Sequence, residues 1–386
     1  MADRQIYLDN AATTRPHPQV VEAVMRALTQ DYGNPSSLHG LGVAAERLVD
    51  AAREAVARSV GVAPEEIVFT SGGTEANVLA LVGAARRSRG RHLVTTAVEH
   101  SSVLEPLRRL ARQGWELDVL PVDRAGRVRP EQVERVLRPD TAVVSVMAVN
   151  NELGTVQPLP EIARVVQRHR AAGGRALLHV DAVQAWGKVP LRPAAWGVDV
   201  MTLSGHKVHG PKGVGALYVR RGVLLEPLLA GGDQERGLRP GTENVPGITG
   251  LGAAAALLAR EGEEAAARMR DLLARLRAQL QHLPDVRINT PEDGAAPHIL
   301  SVTVRGVRGE TLVHRLEQDG VYISTGSACH SRDPRPSHVL LAAGLTPDEA
   351  RSTVRLSLSR FTTADDVDAA AAAFARAVED LRALVG

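Results

Sequence analysis

The sequence predicts an α/β protein, with a large domain built on a mainly parallel sheet flanked by helices and a smaller α+β domain after it. Three observations carry this expectation. Short apolar runs alternate with helical patterns from about residue 20 to residue 250, and apolar strands joined by helical crossovers form parallel sheets covered on both faces. One long Ala/Leu/Arg helix, Gly250 to His282, then bridges to a second set of elements. That set mixes strands at Ile299–Val304 and Val354–Ser357 with helices at Glu310–Gln318 and Asp365–Val385. The division expected is 15–255 for the large domain and 1–14 with 256–386 for the small one, the N-terminal segment packing with the latter.

The elements of the first set follow in order. Val20–Leu28 and Ala44–Val60 read as helices, the second rich in alanine and in charge pairs four residues apart. Ile67–Thr70 is a short strand, and Ser71-Gly72-Gly73 turns into a helix from Thr74. His92–Thr95, Leu117–Leu120, Ala142–Val149, Ala176–Val180, Val198–Leu203 and Gly215–Val219 read as further strands. Aromatic residues make up only 3% of the chain, so its core rests on Ala, Val, Leu and Ile.

Charge and composition exclude several classes. The formal net charge is +2 and the arginines are interspersed with acids, which leaves no nucleic-acid footprint. No apolar stretch reaches membrane-spanning length, and Met1-Ala2-Asp3-Arg4 carries no apolar signal core, so a cytoplasmic location is expected. Cys329 is the single cysteine. That excludes an internal disulfide and a multi-cysteine metal site, and leaves a candidate nucleophile or a buried inert thiol.

Candidate chemistry gathers at strand ends. Of the 46 basic residues, only Lys188, Lys207 and Lys212 are lysines. Arginine stays protonated and cannot attack a carbonyl, whereas lysine can once burial lowers its pKa. Lys207, in Ser204-Gly205-His206-Lys207, follows an apolar strand and either suits a Schiff base with an aldehyde cofactor or is an ordinary surface lysine. Ser71-Gly72-Gly73-Thr74-Glu75-Ala76-Asn77 offers glycines, a helix N-terminus and the Thr74 hydroxyl to a phosphate, though a simple N-cap reads the same way. Asp181 ends a strand, where it either keeps a pyridine nitrogen protonated or caps a helix; Gln184, one turn on, reaches towards a ring hydroxyl.

Further candidates lie in Glu99-His100-Ser101-Ser102, where His100 either stacks on a planar ring and shuttles protons as a catalytic residue or is a solvated loop residue. Asn151 follows another apolar strand and either bonds a ligand oxygen or marks a turn. Thr242, in Gly241-Thr242-Glu243-Asn244, is a hydroxyl for a phosphate or a cap. Arg355, inside a strand, grips a carboxylate or lies on an exposed edge. Cys329 sits among small residues, with Ser331-Arg332-Asp333-Pro334 following, a composition suited to an exposed loop. Together, a phosphate loop, a strand-end aspartate, a strand-end lysine and a carboxylate arginine describe a pyridoxal phosphate enzyme acting on amino acids, with a thiol added.

The chain resembles the NifS/IscS cysteine desulfurases, in the class V aminotransferase group of fold-type I pyridoxal phosphate enzymes. The likeness rests on Tyr7 to Thr14, Gly33 to Ser37, His179-Val180-Asp181, Ser204 to Lys207, Gln234 to Gly237, Gly241 to Asn244, Gly326 to Cys329 and Arg355 to Thr363, which together span nearly the whole chain. It implies pyridoxal 5′-phosphate held on Lys207, with Asp181 on the ring nitrogen, Gln184 on the ring oxygen and His100 stacked on the ring. Gly73, Thr74, Ser204 and His206 would surround the phosphate, and Thr242 would reach it from the partner subunit of a homodimer. Arg355 and Asn151 would bind L-cysteine, and Cys329 would accept its sulfur. The resemblance implies transfer onward to an acceptor, such as an iron–sulfur scaffold or a thiolation enzyme, with no nucleic acid or membrane involved. A selenocysteine lyase or an aminotransferase would share most of these residues.

Overall fold

The computed structural model describes residues 5–326 and 335–383. In chain order these form β1 (Ile6–Tyr7), α1 (Pro18–Thr29), α2 (Gly40–Val60), β2 (Ile67–Thr70), α3 (Gly73–Arg87), β3 (His92–Thr96), α4 (Ser101–Arg112), β4 (Glu116–Leu120), α5 (Pro130–Val136), β5 (Thr141–Met147), α6 (Leu159–Ala171), β6 (Leu177–Asp181), α7 (Pro193–Trp196), β7 (Val200–Ser204) and β8 (Gly215–Val219). The chain continues through α8 (Val245–Leu280), β9 (Val286–Ile288), β10 (Ile299–Val304), α9 (Gly309–Gln318), β11 (Val321–Tyr322), α10 (His338–Ala342), α11 (Pro347–Arg351), β12 (Thr353–Ser357) and α12 (Ala364–Ala383).

The main sheet has seven strands in the order β2-β8-β7-β6-β5-β3-β4. The pairs β3–β4, β3–β5, β5–β6 and β6–β7 are parallel. β8 runs antiparallel to both β7 and β2. The cause is local: only the short segment 205–214 joins β7 to β8, too little chain for a helical crossover. Helix α3 packs its Ala76, Leu79, Ala80, Ala84 and Ala85 into one core against this sheet. A second core fills the opposite face, from α2, α6 and the first part of α8.

Caps explain several helix ends. Gly61, at φ 70°, closes α2 in the left-handed conformation that glycine adopts without strain. Asn244 starts α8 by accepting from the Gly247 N–H, with a proline in the first turn. Strand β5 ends at Met147, two residues before the expected Val149, because Asn150 turns the chain to pair with Thr155.

The C-terminal elements pack around β12-β10-β9, an antiparallel sheet. Their core joins Leu300, Val302, Leu356 and Phe374 to the far part of α8, from Ala266 to Leu280. β1 pairs in parallel with β11, and Ile6 and Leu8 enter the same core. Among the described residues, no helix is long and apolar enough to cross a membrane.

Candidate active site

The parallel strands deliver their carboxyl ends to one crevice, the usual ligand position in such sheets. β3 leads to Glu99 and His100, β5 to Asn151, β6 ends on Asp181, and β7 ends on Ser204 just before Lys207. With Arg355 of β12 and the Ala11–Ala12 segment, they line a cavity of about 390 Å³, within the range of small-molecule sites (roughly 300–1,000 Å³).

Lys207 stands on a tight turn directly after β7. Its Nζ donates to the carbonyls of Ala11 and Ala12, each at 2.6 Å. These main-chain acceptors hold the amine of a lysine that lines the cavity. Asp181 is 5% exposed. Its Oδ1 accepts from the Val183 N–H at 3.0 Å and its Oδ2 from Asn77 Nδ2 at 2.8 Å. The bond to Val183 closes a turn and not the expected helix cap, since the next helix begins only at Pro193; Asp181 also lines the cavity. Neither a lysine nor an arginine pairs with Asp181 among the described residues. A buried carboxylate in that state suits a cationic ring nitrogen.

Asn77 begins a chain of bonds absent from the sequence reading. Its Nδ2 also donates to Ser102 Oγ at 2.8 Å, and Ser102 Oγ lies 2.8 Å from His100 Nδ1. Nδ1 of His100 accepts the Ser102 N–H at 3.1 Å. That nitrogen is therefore an acceptor, and the neutral ring carries its proton on Nε2. His100 thus caps α4 and lines the cavity at once, a cap that neither sequence reading of it foresaw.

Glu99 is fully buried and lines the same cavity. Oε1 accepts from Thr96 Oγ1 and from the Met147 N–H, both at 2.8 Å, while Oε2 is buried without a partner. Burial, with the Asp181 charge adding to it, pushes the Glu99 carboxyl up to about 8. At neutral pH it is a carboxylic acid beside a carboxylate, the arrangement that separates two acids into different roles. Only its place in the motif before His100 hinted at it in the sequence.

A neighbouring hollow of about 450 Å³ is lined by Ser71 to Glu75, Ser204 and His206. Thr74 is exposed on the first turn of α3, whose free N–H groups face this space. Ser204 Oγ is buried without a partner. At Gly73 a Cβ would meet Val183 Cγ2 at 3.0 Å, and Gly72 has φ 152°, so both glycines keep the turn close to the site. His206 Nδ1 lies 3.3 Å from Thr13 Oγ1. Burial first, and then the Lys207, Lys212 and Lys188 charges, lower the His206 ring to about 4, so it is neutral. An unpaired buried hydroxyl, a helix N-terminus and a glycine turn fit a phosphate group.

Gln184 is buried, with Nε2 donating to the Ala11 carbonyl at 2.8 Å and Oε1 3.1 Å from His298 Nε2. Arg355 is 1% exposed, so the exposed-edge alternative is discarded. Its Nη1 donates to the carbonyls of Asn151 at 2.9 Å and Gly326 at 3.0 Å, and its Nη2 to Asp9 Oδ1 at 2.8 Å. Nε is buried without a partner. Of five N–H groups, Nε–H and one on Nη2 are left for a ligand. Asn151 lines the cavity beside it. Thr242 is exposed and lies outside the lining of its own cavity. Glu235 of the Gln234–Gly237 motif is held in an ion pair with Arg53 at 2.8 Å, away from the cavity. Cys329 lies outside the described residues.

Residues 6–370 match the aminotransferase class-V family, a family of pyridoxal phosphate enzymes, and the chain belongs to it. Its relatives place it in the NifS/IscS cysteine desulfurase group of that family. It is 41% identical over 380 residues to cysteine desulfurase IscS 1 of Archaeoglobus fulgidus, covering 98% of each chain. A solved NifS-like protein superimposes with a TM-score of 0.91 at 40% identity, over 98% of this chain and 100% of that one. SspA, solved in complex with cysteine, gives a TM-score of 0.80 at 35% identity, over 93% of this chain and 100% of that one.

Proposed function

We propose that this chain is a cytoplasmic, homodimeric cysteine desulfurase that binds pyridoxal 5′-phosphate and converts L-cysteine to L-alanine, passing the sulfur through Cys329 to an acceptor. The observation that carries the reading is the convergence of the Lys207 amine, the uncompensated Asp181 carboxylate and the Arg355 guanidinium on one cavity. SspA, a relative by structure, was solved with cysteine bound.

In this reading Lys207 holds the cofactor, Asp181 faces its ring nitrogen, Gln184 its ring oxygen and His100 its face. Gly73, Thr74, Ser204 and His206 surround the phosphate. Thr242, exposed and outside the lining of its own cavity, serves the partner subunit's site. The cofactor, when bound, supplies an aldehyde that joins to amines and a ring that draws off the electrons freed at the substrate α-carbon.

The protein's own groups do the rest. Arg355 offers Nε–H and one Nη2–H to the substrate carboxylate, and Asn151 stands beside it. Lys207, its amine held by the Ala11 and Ala12 carbonyls, takes the α-proton and returns a proton as alanine forms. The Cys329 thiolate attacks the substrate sulfur, so an S–S bond forms as the Cβ–S bond breaks. The balance is L-cysteine plus a thiol giving L-alanine plus a persulfide, and a further thiolate then removes the outer sulfur. An iron–sulfur scaffold or a thiolation enzyme is the acceptor class this product suits. The two-domain division, 15–255 against 1–14 with 256–386, is supported by α8, which leaves one core near Leu257 and enters the other near Ala266.

The experiment is to give L-cysteine to the wild type and to Cys329→Ser, and to assay alanine and sulfide. The serine variant should still change its visible spectrum with cysteine, yet release almost no alanine. Alanine release near the wild-type rate would remove Cys329 from the mechanism. A second half-reaction with a keto acid would indicate an aminotransferase instead.

A further inference from the structure

Gln184 is held at both ends of its amide by segments far from it in the chain. Its Nε2 donates to the Ala11 carbonyl at 2.8 Å, across 173 positions, and its Oε1 lies 3.1 Å from His298 Nε2, across 114. Ala11 belongs to the N-terminal segment and His298 to the loop before β10, whereas Gln184 follows β6. The chemistry of the three groups fixes the protons between them. A carbonyl only accepts, so the nitrogen end of the amide faces Ala11 and the oxygen end faces His298. The amide oxygen also only accepts, so the His298 ring carries its proton on Nε2 and donates it.

His298 is fully buried, and its Nδ1 has no partner. A buried ring nitrogen without a hydrogen bond costs stability that an apolar side chain of similar size would not. The ring is neutral: burial first, and then the charges of Lys188, Arg355 and Lys207, hold it well below the usual histidine range. His298 lies outside the lining of the main cavity, while Gln184 is part of it. Its bond to Oε1 therefore reaches the cavity through the Gln184 amide. With both ends held, the amide plane cannot turn, and the second Nε2–H is the one donor left over. With Ala11 alone, the amide keeps a single bond about which it swings.

We propose that His298 is a positioning residue for Gln184: by donating to Oε1 it locks the amide so that the remaining N–H is directed at the ring oxygen of the cofactor. This rests on the reading that Gln184 faces that oxygen. A hydrogen bond to the ring oxygen spreads the negative charge that helps to hold a proton on the nitrogen joining the cofactor to Lys207. It therefore lowers the pH at which that proton leaves. A histidine that only filled space would leave this pH where it is once its volume is replaced.

The test uses holoenzyme with the wild-type residues and with His298→Leu, His298→Met, His298→Gln, Gln184→Met and the double variant Gln184→Met/His298→Leu. The visible absorbance of the cofactor joined to Lys207 is followed from about pH 5 to about pH 10. Gln184→Met should raise the titration midpoint by about one pH unit, and His298→Leu and His298→Met by about half a unit. His298→Gln puts an amide nitrogen the same number of bonds from the backbone as Nε2, and should return the midpoint to near wild type. In the double variant, His298→Leu should add nothing to Gln184→Met, because the two residues act as one unit. The histidine is neutral, so none of these changes alters the charge near Lys207. Apolar variants that titrate like the wild type would overturn the role of His298, and either suffices if the other does not fold. A His298 shift that persists undiminished beside Gln184→Met, or a His298→Gln midpoint matching the apolar variants, would overturn it as well. Gln184→Met without a shift overturns the reading of Gln184 itself, whereas a shift there with none at His298 overturns only the role of His298.

Discussion

Glu99→Gln should make the protein more stable at neutral and alkaline pH while removing nothing the fold uses. Glu99 is fully buried, and its carboxyl is raised from 4.5 to about 8. An acid raised on folding contributes its stability below its unfolded pKa and loses it as pH climbs towards the folded value. Between about 4.5 and about 8 the unfolded chain gives up this proton and the folded chain keeps it. At about 1.4 kcal/mol per pH unit, that interval corresponds to roughly 3–5 kcal/mol of lost stability. Glutamine keeps the Oε1 acceptor for Thr96 Oγ1 and the Met147 N–H. Its amide replaces the unpaired Oε2 and carries no ionisable proton. Urea midpoints of both proteins, measured from about pH 5 to about pH 9, give the answer. The gap in favour of the variant should widen by a few kcal/mol over the range, mostly below pH 8. A gap that stays constant would mean that Glu99 ionises at an ordinary pKa, and the reading of a neutral acid beside Asp181 would fall.

Two further substitutions examine the cavity itself. Asp181→Asn preserves the shape and the Val183 bond but loses the charge, so cofactor content should persist while kcat falls by about a hundredfold or more; turnover near wild type would reduce Asp181 to a residue that closes a turn. Arg355→Lys loses Nε and the planar fork, so KM for L-cysteine should rise by about tenfold or more, with kcat less affected. An unchanged KM would place the substrate carboxylate elsewhere.

Much of the site was legible in the sequence because its chemistry is tied to local pattern. An apolar run followed by a polar residue marks a strand end, and in a parallel sheet the carboxyl ends share one crevice. Asp181, Ser204 and Lys207 follow from that rule. The rarity of lysine singled out three amines and no more. The antiparallel strand β8 was not legible, since strand direction depends on how the chain returns. Helices α4 and α6 were also not read from pattern, and Pro106 lies within α4.

The tertiary structure alone decided which residues support those strand ends. Asn77 reaches Asp181 across 104 positions of sequence, and Arg355 reaches Asp9 across 346. No local periodicity encodes such pairs, because each forms only after strands from distant parts of the chain are stacked. The same holds for protonation. Glu99 and Lys188 are an ordinary acid and an ordinary base as letters in a chain. They become a neutral acid and a weakened base because folding removes their water and sets Asp181 beside one and Lys207 beside the other. Sequence fixes which groups can ionise; burial and neighbours, which exist only in the folded chain, set the pH at which they do.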